Sequence, residues 1–300
     1  MIYTVTFNPA VDYVVKTGQL IPGTVNRSGG EQIFFGGKGI NVSIILKELG
    51  VCSNALGFVA GFTGQAIEDG IKKQGISTDF VHLKKGFSRI NVKIKSHDET
   101  ELNGQGPEID NDAIDKLFRK LDMLESGDIL VLAGSIPNTL PDDIYEKILV
   151  YLKDKEVKFV VDATKSLLLN VLKYKPFLIK PNNFELEEIF NVNLNSTDDI
   201  IFYARKLKEQ GAQNVLVSRA EDGAVLIDED NNVHIIDAPV GKVLNSVGAG
   251  DSMLAGFIAG FISQNSYEYA LKLGTAAGSA TAFSEGLAEG TLIKEILAKL

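Results

Sequence analysis

The sequence has one cysteine and three histidines among its 300 residues. Cys52 has no second cysteine with which to form an internal disulfide, so a disulfide-stapled scaffold is excluded and a reducing compartment is expected. His82, His97 and His234 lie far apart along the chain, and their spacing is not that of zinc ligands. The sequence therefore predicts no structural zinc site.

A secretory signal and a membrane-spanning segment are also missing. The first seven residues, MIYTVTF, have no basic start, and no apolar run reaches the roughly 20 residues that cross a bilayer. The chain lacks an excess of positive charge: its net charge is −9, and this disfavours binding of nucleic acid over a broad surface. We therefore expect a cytoplasmic protein that interacts with neither nucleic acid nor membranes.

Neither of the standard nucleotide-binding motifs occurs. The chain has no G-x-x-x-x-G-K-[ST] segment and no G-x-G-x-x-G segment after its first strand, so a P-loop NTPase or a Rossmann dehydrogenase would lack its phosphate-binding loop. Flexible linkers, low-complexity tracts and internal repeats are absent as well. Because 45% of the residues are hydrophobic, the chain can bury a large core, and we expect a single domain over residues 1–300.

Short apolar runs alternate with helical segments along most of the sequence, which is typical of an α/β fold with a mainly parallel central sheet. One helix is predicted from Ile114 to Leu124 by apolar residues at helical spacing, and Ser196 with Asp199 predicts the start of another. The clearest buried strands are predicted at 128–134, 157–163, 176–182 and 214–220.

Two stretches break this alternation, at about 13–35 and 86–104. The second contains RINVKIK at 89–95, whose alternation is typical of a strand with one solvent-exposed face. Both stretches flank the first strand–helix units, so we expect them to pair as a small β-sheet lid. The exposed edges of such a sheet favour a homodimer formed through the lid.

The strongest chemical signal is NSVGAGDSMLAGF at 245–257, a turn of small residues that leads into an apolar helix. The N–H groups of residues 248–251 would have no intrahelical partners, and the helix dipole adds positive potential, so the turn predicts a phosphate site. A carboxylate is unfavourable beside a polyphosphate, and we interpret Asp251 as a catalytic base. The alternative is an ordinary helix start with Asp251 as a dipole partner. The residues assigned to stabilise the transferred phosphate are Gly248, Ala249 and Gly250.

A second glycine-rich turn, GGKGINV at 36–42, also enters a helix. Alone it is weak evidence, because glycine turns before helices are common and Lys38 has the alternative of being a solvated charge. Together, the two turns resemble the two signatures of the ribokinase-like, or phosphofructokinase B, carbohydrate kinase family. The chain also carries, in family order, TFNPAVD at 6–12, GSIP at 134–137 and KPNNFE at 180–185.

This resemblance extends over nearly the whole chain. It implies a ribokinase-like three-layer fold with a β-sheet lid, ATP as phosphate donor and Mg²⁺ as cofactor. Asn182 and Glu185 resemble an N-x-x-E pair that organises Mg²⁺ through its waters, although Glu185 also suits an ordinary helix start. The implied substrate-binding residues are Asp12, Arg27, Gly36, Gly37, Lys38, Asn41, Arg89, Asn91 and Asn103. The implied nucleotide-binding residues are Lys180, Asn182, Glu185, Ser218 and Gly223.

Within the family the chain looks most like the 1-phosphofructokinases, which implies phosphorylation of fructose 1-phosphate to the 1,6-bisphosphate. Arg27, Lys38 and Arg89 would then form the basic cluster that a dianionic substrate needs. Tagatose-6-phosphate kinases share most of the pattern and are the alternative. A non-catalytic sugar-phosphate sensor is another alternative, against which the intact turn at Asp251 argues. The segments that carry this likeness are VNR at 25–27, SRINVK at 88–93 and ELNGQGP at 101–107.

Two departures from the family pattern affect what can be expected. Ala220 stands where the family commonly has the first glycine of a turn beside the adenine and ribose, which leaves the nucleotide preference open. Asn245 stands where some relatives carry an aspartate of a monovalent-cation site. Dependence on K⁺ is therefore not predicted.

Overall fold

A computed structural model describes residues 1–300, with the side chain of Lys165 left out. Its strands are β1 (Ile2–Thr6), β2 (Ala10–Lys16), β3 (Gly30–Gly36), β4 (Ser53–Ala60), β5 (Ser77–Thr78), β6 (Val81–Leu83), β7 (Arg89–Lys95), β8 (Glu99–Asn103), β9 (Ile129–Ala133), β10 (Lys158–Asp162), β11 (Leu178–Ile179), β12 (Asn214–Ser218), β13 (Ala224–Ile227) and β14 (Val233–Ile236). Its helices are α1 (Lys38–Glu48), α2 (Gly61–Lys73), α3 (Asn111–Leu121), α4 (Ile144–Tyr151), α5 (Lys165–Leu172), α6 (Asn183–Phe190), α7 (Thr197–Glu209), α8 (Ala249–Gln264), α9 (Tyr267–Ala282) and α10 (Gly290–Leu297), with a 3₁₀ turn at Ala220–Asp222.

The central sheet has the strand order β14-β13-β12-β11-β10-β9-β1-β4-β5, and β6 also pairs with β4. From β12 to β5 all pairs are parallel, which confirms the mainly parallel sheet and the four predicted strands, now β9 to β12. Among the described strands of this central sheet, only those at one edge pair antiparallel, where β13 and β14 form a hairpin beside β12. That hairpin was not predicted from the sequence.

Helices cover both faces of the central sheet, because alternate residues of each strand point to opposite sides. In β9, Leu130 and Leu132 join a core that includes residues of α3 to α7. Ile129 and Val131 join a second core with residues of α1, α8, α9 and α10. These two cores make the three layers, so the predicted fold class is confirmed.

Helix starts follow their capping residues. The Ser196 side chain accepts a hydrogen bond from the Asp199 amide (3.1 Å) and begins α7, as the sequence predicts. The helix predicted from Ile114 begins three residues earlier, because Asp110 accepts from the Ala113 amide and caps α3 there. Among the helices described, none is both long and apolar enough to cross a membrane.

The second sheet has four strands in the order β3-β2-β7-β8. Both of the stretches predicted to break the alternation supply its strands, so the small second sheet is confirmed, whereas its movement as a lid stays a prediction. Its connections to the layers are short. β1 leads into β2 through residues 7–9, and β3 leads into α1 through Gly37 alone.

Candidate active site

Most of the predicted site residues meet in one cleft of about 900 Å³. The carboxyl ends of parallel strands form one part of its lining, which is where α/β sheets commonly bind ligands. The small sheet and the first turns of α1, α6 and α8 form the rest. The predicted residues that line the cleft are Asp12, Gly37, Lys38, Asn41, Arg89, Asn91, Asn103, Lys180, Asn182, Glu185, Ser218, Gly248, Ala249, Gly250 and Asp251.

Three predicted residues are not among the described residues that line this cleft. Arg27 is exposed between β2 and β3, where its carbonyl accepts a hydrogen bond from the Thr17 hydroxyl. Gly36 is buried behind Asp12, and Gly223 has φ +84° in the turn that reverses the chain into β13. Gly223 thus has a conformation that favours glycine. Contacts of Arg27, Gly36 and Gly223 with substrate or nucleotide stay predictions.

The turn before α8 has the shape of an anion site. Gly248 has φ +82°, a left-handed conformation that favours glycine. The Ser252 amide makes the first intrahelical bond, to the Gly248 carbonyl (2.9 Å), so the amides of Gly250 and Asp251 precede the helical ladder. One amide predicted to be free is engaged, since that of Ala249 donates to the Ser246 carbonyl (3.2 Å).

Asp251 lies in the first turn of α8 with only 6% of its surface exposed. Burial raises the pKa of its carboxyl to about 6, and the nearby negative charge of Asp162 adds to the rise. Lys38 and a 2.7 Å hydrogen bond from the Asn41 amide act in the opposite direction. A carboxylate with this pKa is ionised at neutral pH, yet it is more basic than an ordinary aspartate, as proton abstraction requires.

Asp162 joins the two lysines of the site. Its carboxylate lies 3.3 Å from Lys38 Nζ and 3.3 Å from Lys180 Nζ, with 2% of Asp162 and 5% of Lys180 exposed. Burial alone would raise the pKa of Asp162, but Lys180 and Lys38 hold it below its usual range. Burial lowers the pKa of Lys38, and Asp162 and Asp251 reverse that effect. Two cations and two carboxylates thus balance one another in the cleft.

Sequence reasoning missed Asp162, although a signal was present. The predicted strands at 157–163 and 176–182 each contain a charged residue near the carboxyl end, Asp162 and Lys180. The register of β10 on β11 pairs Val161 with Ile179, and the next residues along are this carboxylate and this ammonium. Charged residues at the carboxyl ends of neighbouring parallel strands indicate a site in such folds.

The small sheet contributes a second polar group to the cleft. β2 and β7 pair Asp12 with Asn91, and the Asn91 amide donates to Asp12 Oδ1 (2.7 Å). Arg89, two residues earlier on β7, donates through Nε to the Asn8 carbonyl (3.0 Å). Burial lowers the pKa of Arg89, and Asp12 opposes that effect. A carboxylate beside a guanidinium suits a ligand that carries both hydroxyls and a phosphate.

Asn182 and Glu185 form a capping box at the start of α6. Each backbone amide donates to the other residue's side chain at 2.8 Å, so the helix-start role of Glu185 is present in the structure. Both side chains nevertheless line the cleft. Within the described side chains, no group of three His, Cys, Asp or Glu residues could hold a metal ion directly. These oxygen donors fit Mg²⁺, which usually keeps several waters and relies on substrate phosphates.

Apolar side chains also line the cleft, which suits the aromatic base of a nucleotide. Nearby, Ala220 has φ +49°, a left-handed conformation that costs an alanine about 1–2 kcal/mol. The backbone thus keeps a conformation that favours glycine even though alanine stands there. The apolar residues of the cleft include Phe184, Ala238, Pro239, Val240, Val243, Ala282 and Phe283.

Comparison with known proteins gives matches along the whole chain. The pattern described as pfkB family carbohydrate kinase matches residues 5–294. The 1-phosphofructokinase of Bacillus subtilis is 47% identical over 99% of this chain and 97% of its own length. The D-tagatose-1-phosphate kinase of Bacillus licheniformis is 40% identical over 96% and 95%. The structure of phosphofructokinase-2 from Escherichia coli with substrates and products has a TM-score of 0.94 and 27% identity, over 100% of this chain and 99% of that one.

Proposed function

The chain belongs to the pfkB family of carbohydrate kinases, and from that premise we propose that it transfers the γ-phosphoryl group of ATP to the 6-hydroxyl of fructose 1-phosphate. The products are fructose 1,6-bisphosphate and ADP. The observation that carries the proposal is the buried Asp251, whose pKa is raised to about 6, at the start of α8. The names of the similar kinases from Bacillus support the choice of a ketohexose 1-phosphate.

The proposed mechanism uses this chain's residues mainly to position and to stabilise charge. Asp251 accepts the proton of the attacking hydroxyl. The amides of Gly250 and Asp251 and the ammonium groups of Lys38 and Lys180 stabilise the negative charge on the phosphoryl group in transfer. Asn182 and Glu185 would hold Mg²⁺, which would supply further neutralisation of the phosphate charge when bound.

D-tagatose 1-phosphate is a second candidate substrate, because a relative of 40% identity carries that name. It presents the same 1-phosphate and 6-hydroxyl as fructose 1-phosphate, and the two sugars differ only in the configuration at C4. Tagatose 6-phosphate, the alternative predicted from the sequence, stays a candidate, and because its 6-position is already phosphorylated its 1-hydroxyl would be the acceptor.

A coupled assay for ADP release tests the reaction class and the substrate together. The acceptors are fructose 1-phosphate, D-tagatose 1-phosphate, tagatose 6-phosphate, fructose 6-phosphate and fructose. We expect the highest kcat/KM with fructose 1-phosphate. ADP release with none of them, combined with measurable binding of a sugar phosphate, would replace the kinase with the sugar-phosphate sensor.

The proposal extends to location and assembly. β3 and β8 are the edge strands of the small sheet, and Ile33 and Leu102 on them are 58% and 63% exposed. Exposed edges with apolar side chains favour pairing with another chain, which supports a homodimer through the lid. The proposed location is the cytoplasm, with ATP and a sugar phosphate as the partners and with neither nucleic acid nor a membrane.

Arg89→Ala is expected to raise the KM for the sugar phosphate by about tenfold to a hundredfold, because a charge-assisted contact to phosphate contributes about 1.5–3 kcal/mol. The KM for ATP should change little. Steady-state kinetics with each substrate varied in turn measures both. Arg205→Ala, on the exposed face of α7, is the matched control and should leave both constants unchanged. An unchanged KM for the sugar phosphate in Arg89→Ala would remove Arg89 from the substrate site.

Glu185→Gln is expected to raise the Mg²⁺ concentration needed for half-maximal rate. Glutamine can still accept the Asn182 amide, so the capping box and the fold should persist while the carboxylate charge is lost. The measurement is a Mg²⁺ titration of the ADP release rate. Glu187→Gln on the same helix, where Glu187 accepts from the Leu194 amide, is the control. Overlapping titrations of Glu185→Gln and wild type would leave Glu185 with its capping role alone.

A further inference from the structure

The Asn41 side chain lies between the two glycine turns of the cleft. A Cβ on Gly36 would stand 3.6 Å from Asn41 Oδ1, and a Cβ on Gly248 would stand 3.7 Å from Asn41 Nδ2. The amide nitrogen donates to Asp251 Oδ2 at 2.7 Å. An asparagine has a donor at one end and an acceptor at the other. The donor end of the amide therefore binds Asp251, and the acceptor end faces the side of the cleft where Asp12 lies.

We propose that Asn41 is a positioning residue for Asp251, which orients the carboxylate and favours its ionised form through this hydrogen bond. The assignment rests on the proposed phosphoryl transfer, in which Asp251 is the base. It adds to the hydroxyl-holding role that the family resemblance implies, because that role needs only the Oδ1 end. One side chain then connects the sugar-binding side of the cleft to the base.

The backbone around Asn41 is well suited to hold a group in place. Asn41 lies in the first turn of α1, and its own amide donates to the Gly37 carbonyl (2.9 Å). The preceding residue, Ile40, is fully buried and donates its amide to Thr6 Oγ1 at the end of β1 (3.0 Å). The start of α1 is therefore hydrogen-bonded to the central sheet, and the Asn41–Asp251 bond connects the start of α8 to the start of α1.

The charged groups that act on Asp251 come from three other places in the fold. Asp162 at the end of β10 raises its pKa, whereas Lys38 in α1 and Lys180 after β11 lower it. Burial is the largest influence and also raises it. Asn41 carries no charge, but it makes the hydrogen bond that the structure records to this carboxylate. Without this hydrogen bond, the rise in the Asp251 pKa caused by burial and Asp162 would be opposed by the two lysines alone.

Asn41→Leu tests the proposal, since leucine has the same branched side-chain skeleton as asparagine and can neither donate nor accept a hydrogen bond. A hydrogen bond to a charged group contributes roughly 1.5–3 kcal/mol, and one pKa unit corresponds to about 1.4 kcal/mol, so the pKa of Asp251 should rise by about one to two units. The first measurement is a ¹³C NMR titration of the aspartate carboxyls in ligand-free protein, with Asp251 assigned by its loss in Asp251→Asn. The second is the pH profile of kcat/KM, whose acidic limb should shift upward by the same amount.

Asn91→Leu is the matched control, because it removes a 2.7 Å amide bond to a different carboxylate, that of Asp12. It should raise the KM for the sugar phosphate and leave the titration of Asp251 in place. If Asn41→Leu lowers kcat/KM by one factor at every pH and leaves the Asp251 titration unshifted, the positioning role is overturned. If Asn41→Leu does not fold, Asn41→Ala replaces it, because alanine also removes the donor and adds no charge, and the titration should shift upward as well. An unshifted titration in that variant also overturns the proposal.

The NMR measurement uses no substrate, so it separates two failures. A wild type that releases no ADP from any acceptor would refute the proposed function while the carboxyl titration still tests the hydrogen bond. An unshifted titration in an active enzyme would refute the positioning role and leave the proposed function standing.

Discussion

Asp251→Asn is expected to lower kcat by about 10²- to 10⁴-fold, which is the usual contribution of a positioned general base. Asparagine has nearly the volume of aspartate and also suits the first turn of a helix, so the fold should persist. Its amide cannot accept the proton of the attacking hydroxyl. Binding of ATP should stay equal or become tighter, because a negative charge next to the phosphates is removed. Binding and catalysis therefore separate in this variant.

Calorimetry with fructose 1-phosphate and with a non-hydrolysable ATP analogue measures binding, and the ADP assay measures catalysis on the same sample. Asp112→Asn is the control, since Asp112 is an exposed acidic residue in the first turn of α3, outside the cleft. It should leave kcat unchanged. If Asp251→Asn keeps more than about a tenth of the wild-type kcat while the chemical step limits both enzymes, Asp251 is a dipole partner and not the base.

Asp162→Asn is expected to lower the free energy of unfolding by about 3–5 kcal/mol, because removing one partner of a buried ion pair leaves the other charge uncompensated. Lys180 accounts for most of this loss, since its side chain is 5% exposed. Lys38 is 40% exposed and can recover hydration, so it contributes less. Urea denaturation of the ligand-free protein measures the difference.

A surface pair provides the comparison. Asp143→Asn breaks an ion pair with Lys147 in which both side chains are about half exposed (2.8 Å), and we expect a loss of less than about 1 kcal/mol. The double variant Asp162→Asn with Lys180→Met should regain part of the stability, because the uncompensated cation is gone. A loss in Asp162→Asn no larger than that in Asp143→Asn would show that this cluster does not stabilise the fold.

The sequence predicted well those features that depend on the residues of one short segment. β9 to β12 consist mainly of valine, isoleucine and leucine, because strands covered on both faces need apolar residues at most positions. The turn at Asp251 carries its glycines and its carboxylate within four residues, so both its backbone shape and its chemistry can be inferred from the sequence. The role of each residue is a hypothesis that the variants above test.

The features that it missed depend on contacts between distant segments. The pairing of Asp162 with Lys180 follows from the register of two strands, and the proximity of Asn41 to Asp251 brings together residues 210 positions apart. The periodicity of apolar residues specifies neither this pairing nor this proximity. For Arg27 the family pattern indicates a residue type but not the direction of an exposed side chain, so its contact with the substrate stays a prediction. The antiparallel edge was missed because its two reversals depend on local geometry: Gly223 has φ +84° before β13, and Asn231 has φ +66° between β13 and β14.

The short connections of the small sheet limit where the chain can change in length. At Gly37, which joins β3 to α1, a Cβ would stand 2.5 Å from the Thr6 side chain, so this junction has no room for added atoms. An insertion there or in residues 7–9 would move Asp12 and Asn41 relative to Asp251. Residues 17–29 and 96–98, by contrast, are largely exposed turns at the far side of the same sheet. Length variation among natural or engineered variants is therefore expected in those outer turns, whereas the two junctions should keep a constant number of residues.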